Sequence, residues 1–165
     1  MEHSIRQMIK DNFLHKDYFN NIKQHILGFN FPWFIDKVLS NKTHKHMTHS
    51  LYQENEPNSN YYRELFPLLN ALKCKSLIRM KFNLTFRTDK IIEHGYHVDE
   101  QSQNDNMKTS ILYINTNNGY TGFKTGEKFS SKENRLVTFD GHQLHTGTTN
   151  SCQQPYRCVL NINYY

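Results

Sequence analysis

Nothing in these 165 residues forms a long apolar run, so no membrane span is expected. The opening stretch MEHSIRQMIKDNFLHK lacks the apolar core of a secretory leader. Cysteine is scarce as well. Cys74, Cys152 and Cys158 make no C-x-x-C pair, and an odd count suits reduced thiols in a reducing compartment. The expectation is therefore a soluble protein of the cytoplasm. Lysines and arginines give a net charge of +5 and a pI near 9.1, yet they are scattered singly and no basic block stands out. That distribution reads as a generally basic surface rather than a dedicated nucleic-acid groove. Also missing are internal repeats, low-complexity linkers, a phosphate-cradling glycine loop and a nucleophile-and-base arrangement. A chain of this length can bury a core unaided, and residues 1–165 are read as one domain.

What the chain does have is aromatic weight and order. Ten tyrosines and eleven phenylalanines suit core and strand positions, with some available to line a pocket. In KDYFNNIKQHILG, Tyr18, Phe19, Ile22, Ile26 and Leu27 fall at helical spacing, with Gly28 as a stop. NSNYYRELFPLLNALK predicts a second helix, provided that Pro67 sits near its first turn or at a kink. Between them, NKTHKHMTHSLYQENEPNS reads as a polar loop with one strand at most, and His44, His46, His49 and His94 read as exposed. From Ser76 the period becomes two. In SLIRMKFNLTF, Ile78, Met80, Phe82, Leu84 and Phe86 share one face, and Arg79, Lys81, Asn83 and Thr85 the other. SILYINTN, GYTGF, RLVTFD and RCVLNINYY follow as short strands separated by turn residues. The order implies helical support over 1–75 and most of a β core over 76–165, as a sandwich or barrel with helices on one side.

Chemistry concentrates first in EHGYHVDE, Glu93 to Glu100. His97 and Asp99 are two apart, so on an extended segment both point the same way and one ion could touch both. TFDGHQLHTGTTN adds His142 and His145. With His145 opposite the first pair, the set becomes two histidines and a carboxylate, which suits non-haem Fe(II) with open positions and suits Zn(II) too. An H-x-D alone is weak in a chain with ten histidines.

The order of segments is stronger than the motif. DNFLHKDYFNNIKQHILGFNFPWF, LIRMKFNLTFRTDKIIEHGYHVD, KTSILYINTNNGYTGF, ENRLVTFDGHQLHTGTT and YRCVLNINYY together resemble the 2-oxoglutarate/Fe(II)-dependent dioxygenases over nearly the whole chain. The likeness is to their prolyl-4-hydroxylase-like branch, especially small phage and marine bacterial members, which would place a phage-encoded chain in the host cytoplasm. It implies a double-stranded β-helix, or jelly-roll, core. It also implies Fe(II), with 2-oxoglutarate and O₂ as cosubstrates, and hydroxylation of a substrate C–H bond coupled to succinate formation. No catalytic side chain beyond the metal ligands is called for.

Carried onto this chain, the resemblance makes His97, Asp99 and His145 the metal ligands. His145 is preferred to His142 because it directly precedes the small turn TGTT. Arg157, twelve residues after His145, would bind the distal carboxylate of 2-oxoglutarate, although the family's basic residue usually stands closer to the histidine. Tyr113, on the strand after H-x-D, is the second cosubstrate candidate. Asn83, Asn161 and Asn163 could face the pocket by alternation, but register is not readable from sequence. The substrate is a small molecule or a peptidyl residue. One alternative is a nucleic-acid demethylating dioxygenase, disfavoured because such enzymes carry a second arginine where Asn163 stands. Another is a non-enzymatic metal- or ligand-binding jelly-roll. His44–Asn60 and Glu100–Lys108 are candidate pocket-mouth segments, with QSQNDNM as a lid or a plain connector.

Overall fold

The computed structural model describes residues 7–38, 41–99 and 106–165. In SLIRMKFNLTF the two faces separate as the alternation requires, and the strand they form lies deep inside a sheet. That strand, β5 (Leu77–Phe86), is one of eleven: β1 (Met8–Lys10), β2 (Phe34–Val38), β3 (Asn41–Gln53), β4 (Glu56–Pro57), β6 (Lys108–Tyr113), β7 (Tyr120–Phe123), β8 (Lys128–Ser130), β9 (Leu136–Asp140), β10 (His145–Gly147) and β11 (Tyr156–Tyr164) are the others. The larger sheet runs β1-β9-β6-β11-β5-β3-β2, with β4 paired to β3; the smaller runs β10-β7-β8. Every pairing is antiparallel. Two facing antiparallel sheets make the jelly-roll core that the segment order implied.

On β11, Cys158, Leu160, Ile162 and Tyr164 turn to one side and join Met80, Phe82 and Leu84 of β5 in the main core. Helix α1 (Lys16–Ile26) closes this core with Phe19, Ile22 and Ile26, a stripe at helical spacing. The second helical segment is a 3₁₀ turn over Asn60–Leu65 followed by α2 (Phe66–Ala71), with Pro67 in its first turn, where its missing N–H is harmless. The opposite sides of β6, β9 and β11 carry Ile111, Tyr113, Val137, Phe139 and Val159, which pack with Phe123 of β7 between the two sheets.

The histidine-rich stretch, read as a loop with room for one strand, is strand over most of its length. It is the thirteen-residue β3, inside the larger sheet between β2 and β5. His46, His49 and His94, expected to be exposed, are 9 %, 4 % and 7 % exposed. The cause is that one side of this part of the sheet faces a polar cavity, so inward positions hold polar residues and the usual apolar alternation is absent. His49 turns the other way: its ring nitrogens meet the Pro32 carbonyl and the Ser59 hydroxyl, both at 2.6 Å, among the rings of Phe31 and Tyr61. Among the described residues, the first seventy-five thus add four strands to the helical support. Cys74, Cys152 and Cys158 form no disulfide, and no described helix is long and apolar enough to cross a membrane.

Candidate metal and cosubstrate site

The polar faces of β3, β5 and β11 line a cavity of about 110 Å³ between the sheets, room for several waters. His97, Asp99 and His145 meet at its edge. His145 opens β10, and the segment carrying His97 pairs with it as an isolated antiparallel bridge. Their backbones exchange hydrogen bonds of 2.9 and 3.0 Å, which brings the rings to 4.8 Å between centroids. One ligand-capable atom from each of the three residues lies within 4.8 Å of the others.

Both imidazoles are held in the same manner. His97 Nδ1 lies 3.1 Å from the Gly95 carbonyl and His145 Nδ1 lies 3.0 Å from the Gln143 carbonyl. A carbonyl only accepts, so each Nδ1 must carry the proton and each Nε2 presents a lone pair. Both Nε2 atoms aim at Asp99 Oδ1, at 3.5 and 3.7 Å. Those separations exceed a direct hydrogen bond. Two donors about 2.1 Å from one ion, 90–110° apart, stand roughly 3.0–3.4 Å from each other, so the two carboxylate–imidazole separations suit a divalent ion within a few tenths of an ångström, and the imidazoles, in a donor set spanning up to 4.8 Å, close toward each other on binding it.

Asp99 is set with equal care. Its side chain is only 2 % exposed. Oδ2 accepts from Asn161 Nδ2 at 2.8 Å and Asn163 Nδ2 at 3.2 Å, while Oδ1 lies 3.3 Å from an Arg79 guanidinium nitrogen. Burial alone would raise its carboxyl, but His145, His97 and the Arg79 charge outweigh that and hold it well below the usual carboxylate range. Asn161 and Asn163, unassigned from sequence, thus fix the carboxylate with Oδ1 toward the imidazoles. Arg79 had no role in the sequence reading; its signal was its place on the polar face of a strand that proved to be central.

Arg157 lies on the far part of the cavity, 4 % exposed. Its Nε donates to Ser131 Oγ at 2.8 Å and a terminal nitrogen donates to Thr121 Oγ1 at 3.2 Å. Its charge meets no acid among the described residues. Burial lowers its pKa, yet a guanidinium stays charged. Tyr113 is fully buried beneath it, ring centroid 5.5 Å from the guanidinium carbon. The Tyr113 hydroxyl lies 2.8 Å from Thr121 Oγ1 and 3.1 Å from the Phe129 carbonyl, and Thr121 rather than Tyr113 forms the cavity wall. His94 also lines the cavity; burial, then the nearby Arg157 charge, lowers its pKa to about 4, so it is neutral at neutral pH. His142 is instead on a turn, bonded to Asp140. Asn83 lines the cavity. The expected lid, QSQNDNM over residues 101–107, lies outside the described residues at 101–105.

Gly95 enables the approach of this segment. Its φ of 96° lies in the left-handed region, between His94 on the cavity wall and His97, whose ring its carbonyl holds. Gly95→Ala is expected to cost about 1–2 kcal/mol in denaturant unfolding and to weaken metal affinity by at least about tenfold, read by metal titration.

With this geometry in view, solved structures place the architecture: the chain has the fold of the 2-oxoglutarate/Fe(II) oxygenases. A prolyl-4-hydroxylase of Pseudomonas putida aligns at 12 % identity and a TM-score of 0.63, over 98 % of this chain and 92 % of that one. A Burkholderia pseudomallei oxidoreductase of the 2OG-Fe(II) oxygenase family aligns at 14 % and 0.66, over 99 % and 85 %. A Trichoplax adhaerens prolyl hydroxylase, solved with a peptide fragment of the hypoxia inducible factor oxygen degradation domain, aligns at 12 % and 0.72, over 96 % and 83 %. No family model matches the chain, and no curated protein matches it by sequence.

Proposed function

We propose that this chain is a non-haem Fe(II)- and 2-oxoglutarate-dependent dioxygenase, a hydroxylase in which His97, Asp99 and His145 hold the iron. Arg157 takes the distal carboxylate of 2-oxoglutarate. One juxtaposition carries the reading: three donor atoms converge beside a cavity whose other end holds a buried guanidinium with no acid partner among the described residues. Bound Fe(II), with 2-oxoglutarate and O₂, would supply oxidation of a substrate C–H bond to C–OH, with 2-oxoglutarate leaving as succinate and CO₂.

The chain's own residues bind and orient. Gly95 and Gln143 keep both imidazoles in the tautomer that offers Nε2, and Asn161 and Asn163 keep Asp99 Oδ1 forward. At the other end, Ser131 and Thr121 set the plane of Arg157, and Tyr113 packs beneath it and fixes the Thr121 hydroxyl. The apolar wall of Ile111 and Val159 between the two ends suits the methylenes of a five-carbon diacid. The reading extends to the prolyl-4-hydroxylase-like branch and, on the five sequence segments, to its small phage and marine bacterial members; the shared fold supports the branch. Demethylation of nucleic acid is disfavoured. Asn163 is spent on Asp99, and among the described residues no phenyl, phenol or indole ring lines the cavity to stack a flipped base.

Anaerobic addition of Fe(II) and 2-oxoglutarate tests the reading. The expected outcome is a weak visible charge-transfer band and a melting temperature raised by 2-oxoglutarate only when metal is present. No band together with no stabilisation overturns it.

A further inference from the structure

The roles above leave one buried cation in the cavity without a task. Arg79, Lys81 and Arg157 line it, against Asp99 as the single acid among the described residues. Arg79 meets Asp99, and Arg157 is assigned to the cosubstrate. Lys81 remains. Its side chain is 16 % exposed, and its nearest described acid is Asp36, 3.8 Å away and itself half-exposed. This is a long ion pair with a carboxylate half in water, so Asp36 offsets the ammonium only in part.

Sheet register places Lys81 relative to the rest. On β11, Arg157 stands opposite Thr85 and Asn161 opposite Lys81. The two cations are therefore separated by four residues along the strands, about 13 Å. Asn161 holds Asp99, so Lys81 stands at the end of the cavity where the three metal ligands meet. A diacid anchored on Arg157 reaches toward the ligands along the strands, and Lys81 stands beside them at the level of Asn161.

The atoms around Lys81 point to a ligand. Asn161 is 7 % exposed, and its orientation follows from Nδ2 donating to Asp99; its Oδ1 is left buried with no hydrogen-bond partner. His46, 9 % exposed, lines the same cavity, and its Nδ1 likewise has no partner. Burial, with the charge of Lys81, holds the His46 imidazole below its usual pKa. An ammonium already shared in part with the half-exposed Asp36 suits one further carboxylate, whereas a phosphate monoester would bring about −1.5 to −2. An orphaned acceptor on the residue paired across the strands with Lys81 calls for an N–H or O–H near the anion.

We propose that Lys81 receives the carboxylate of a small free acid, with Asn161 Oδ1 accepting from an amino or hydroxyl group beside it. This rests on the dioxygenase reading and sharpens it: the oxidised molecule is a free amino or hydroxy acid rather than an internal residue of a peptide.

The test uses the wild-type chain with Fe(II) and 2-oxoglutarate. Succinate release and melting temperature are measured with free amino acids, free hydroxy acids, their C-terminal amides, phosphate monoesters and short capped peptides. Free acids are expected to stimulate succinate release or raise the melting temperature, and their amides are expected to fail. For the responding acid, Lys81→Gln is expected to raise KM about 10- to 100-fold, with Lys81→Arg recovering part of it. The Kd of 2-oxoglutarate is expected to move less than about twofold, because that carboxylate lies at Arg157. Amides or capped peptides serving as well as acids overturn the proposal, as does a response confined to phosphate esters or no response to any free acid. A parallel loss of 2-oxoglutarate affinity in Lys81→Gln assigns Lys81 to the cosubstrate and also overturns it. Failure of the underlying dioxygenase reading is seen separately, as absence of the anaerobic band before any acid is added.

Discussion

Asp99→Ala is expected to abolish metal-dependent succinate formation and to lower the unfolding free energy by about 3 kcal/mol. Both losses come from the same carboxylate. Oδ1 is the atom at which the Nε2 atoms of His97 and His145 converge, so without it two imidazoles are left to hold the ion. The stability loss arises because Arg79 is only a tenth exposed and sits 3.3 Å from that oxygen. Removing one partner of a buried pair leaves the other charge poorly solvated, which costs roughly 3–5 kcal/mol; the residual exposure of Arg79 sets the lower end. His145→Ala separates the two effects. It removes a ligand but keeps the backbone exchange with His97, so metal affinity should fall as far while stability falls less. Metal-dependent thermal shift and urea unfolding on both variants read this out. Retention of metal-dependent activity by Asp99→Ala would sink the ligand assignment.

Arg157→Met is expected to weaken 2-oxoglutarate binding by about a hundredfold or more while leaving the ligand-free fold as stable or up to about 2 kcal/mol more stable. The affinity loss follows from removing a planar, two-pronged partner for a carboxylate. The stability gain is the sharper signature. A guanidinium 4 % exposed, with hydroxyls but no described acid beside it, carries an uncompensated desolvation penalty. An unbranched apolar side chain of similar length removes that penalty, as replacing buried charges by well-packed apolar groups often does. Calorimetric titration with 2-oxoglutarate and denaturant unfolding without it decide the matter. Unchanged affinity refutes the cosubstrate role; a large loss of stability would make Arg157 structural.

The chemical inventory was legible in the order of residues alone. H-x-D spacing on extended chain puts two candidate ligands on one side, and His145 and Arg157 stood out through their order relative to it. The polar face of SLIRMKFNLTF was legible too, since alternation is local. Its destination was not: Arg79, Lys81, Asn83 and Thr85 read equally well as facing water or an internal cavity. The same ambiguity hid β3, where His46 faces the cavity and His49 the aromatic cluster around Phe31, which leaves no apolar alternation to detect. Tyr113 shows the reverse case, an aromatic matched by position whose hydroxyl is spent one residue short of the cavity wall.

By itself, then, the sequence determined which side chains could ligate, which strands alternate, where α1 lies and that Pro67 must begin or kink a helix, because each depends on neighbours a few residues away. Tertiary structure alone decided that Asn161 and Asn163 grip Asp99, and that Arg157 and Lys81 line one cavity four residues apart along the strands. Those relations depend on strand register between segments sixty or more residues apart. A shift of one residue there would turn every inward side chain outward.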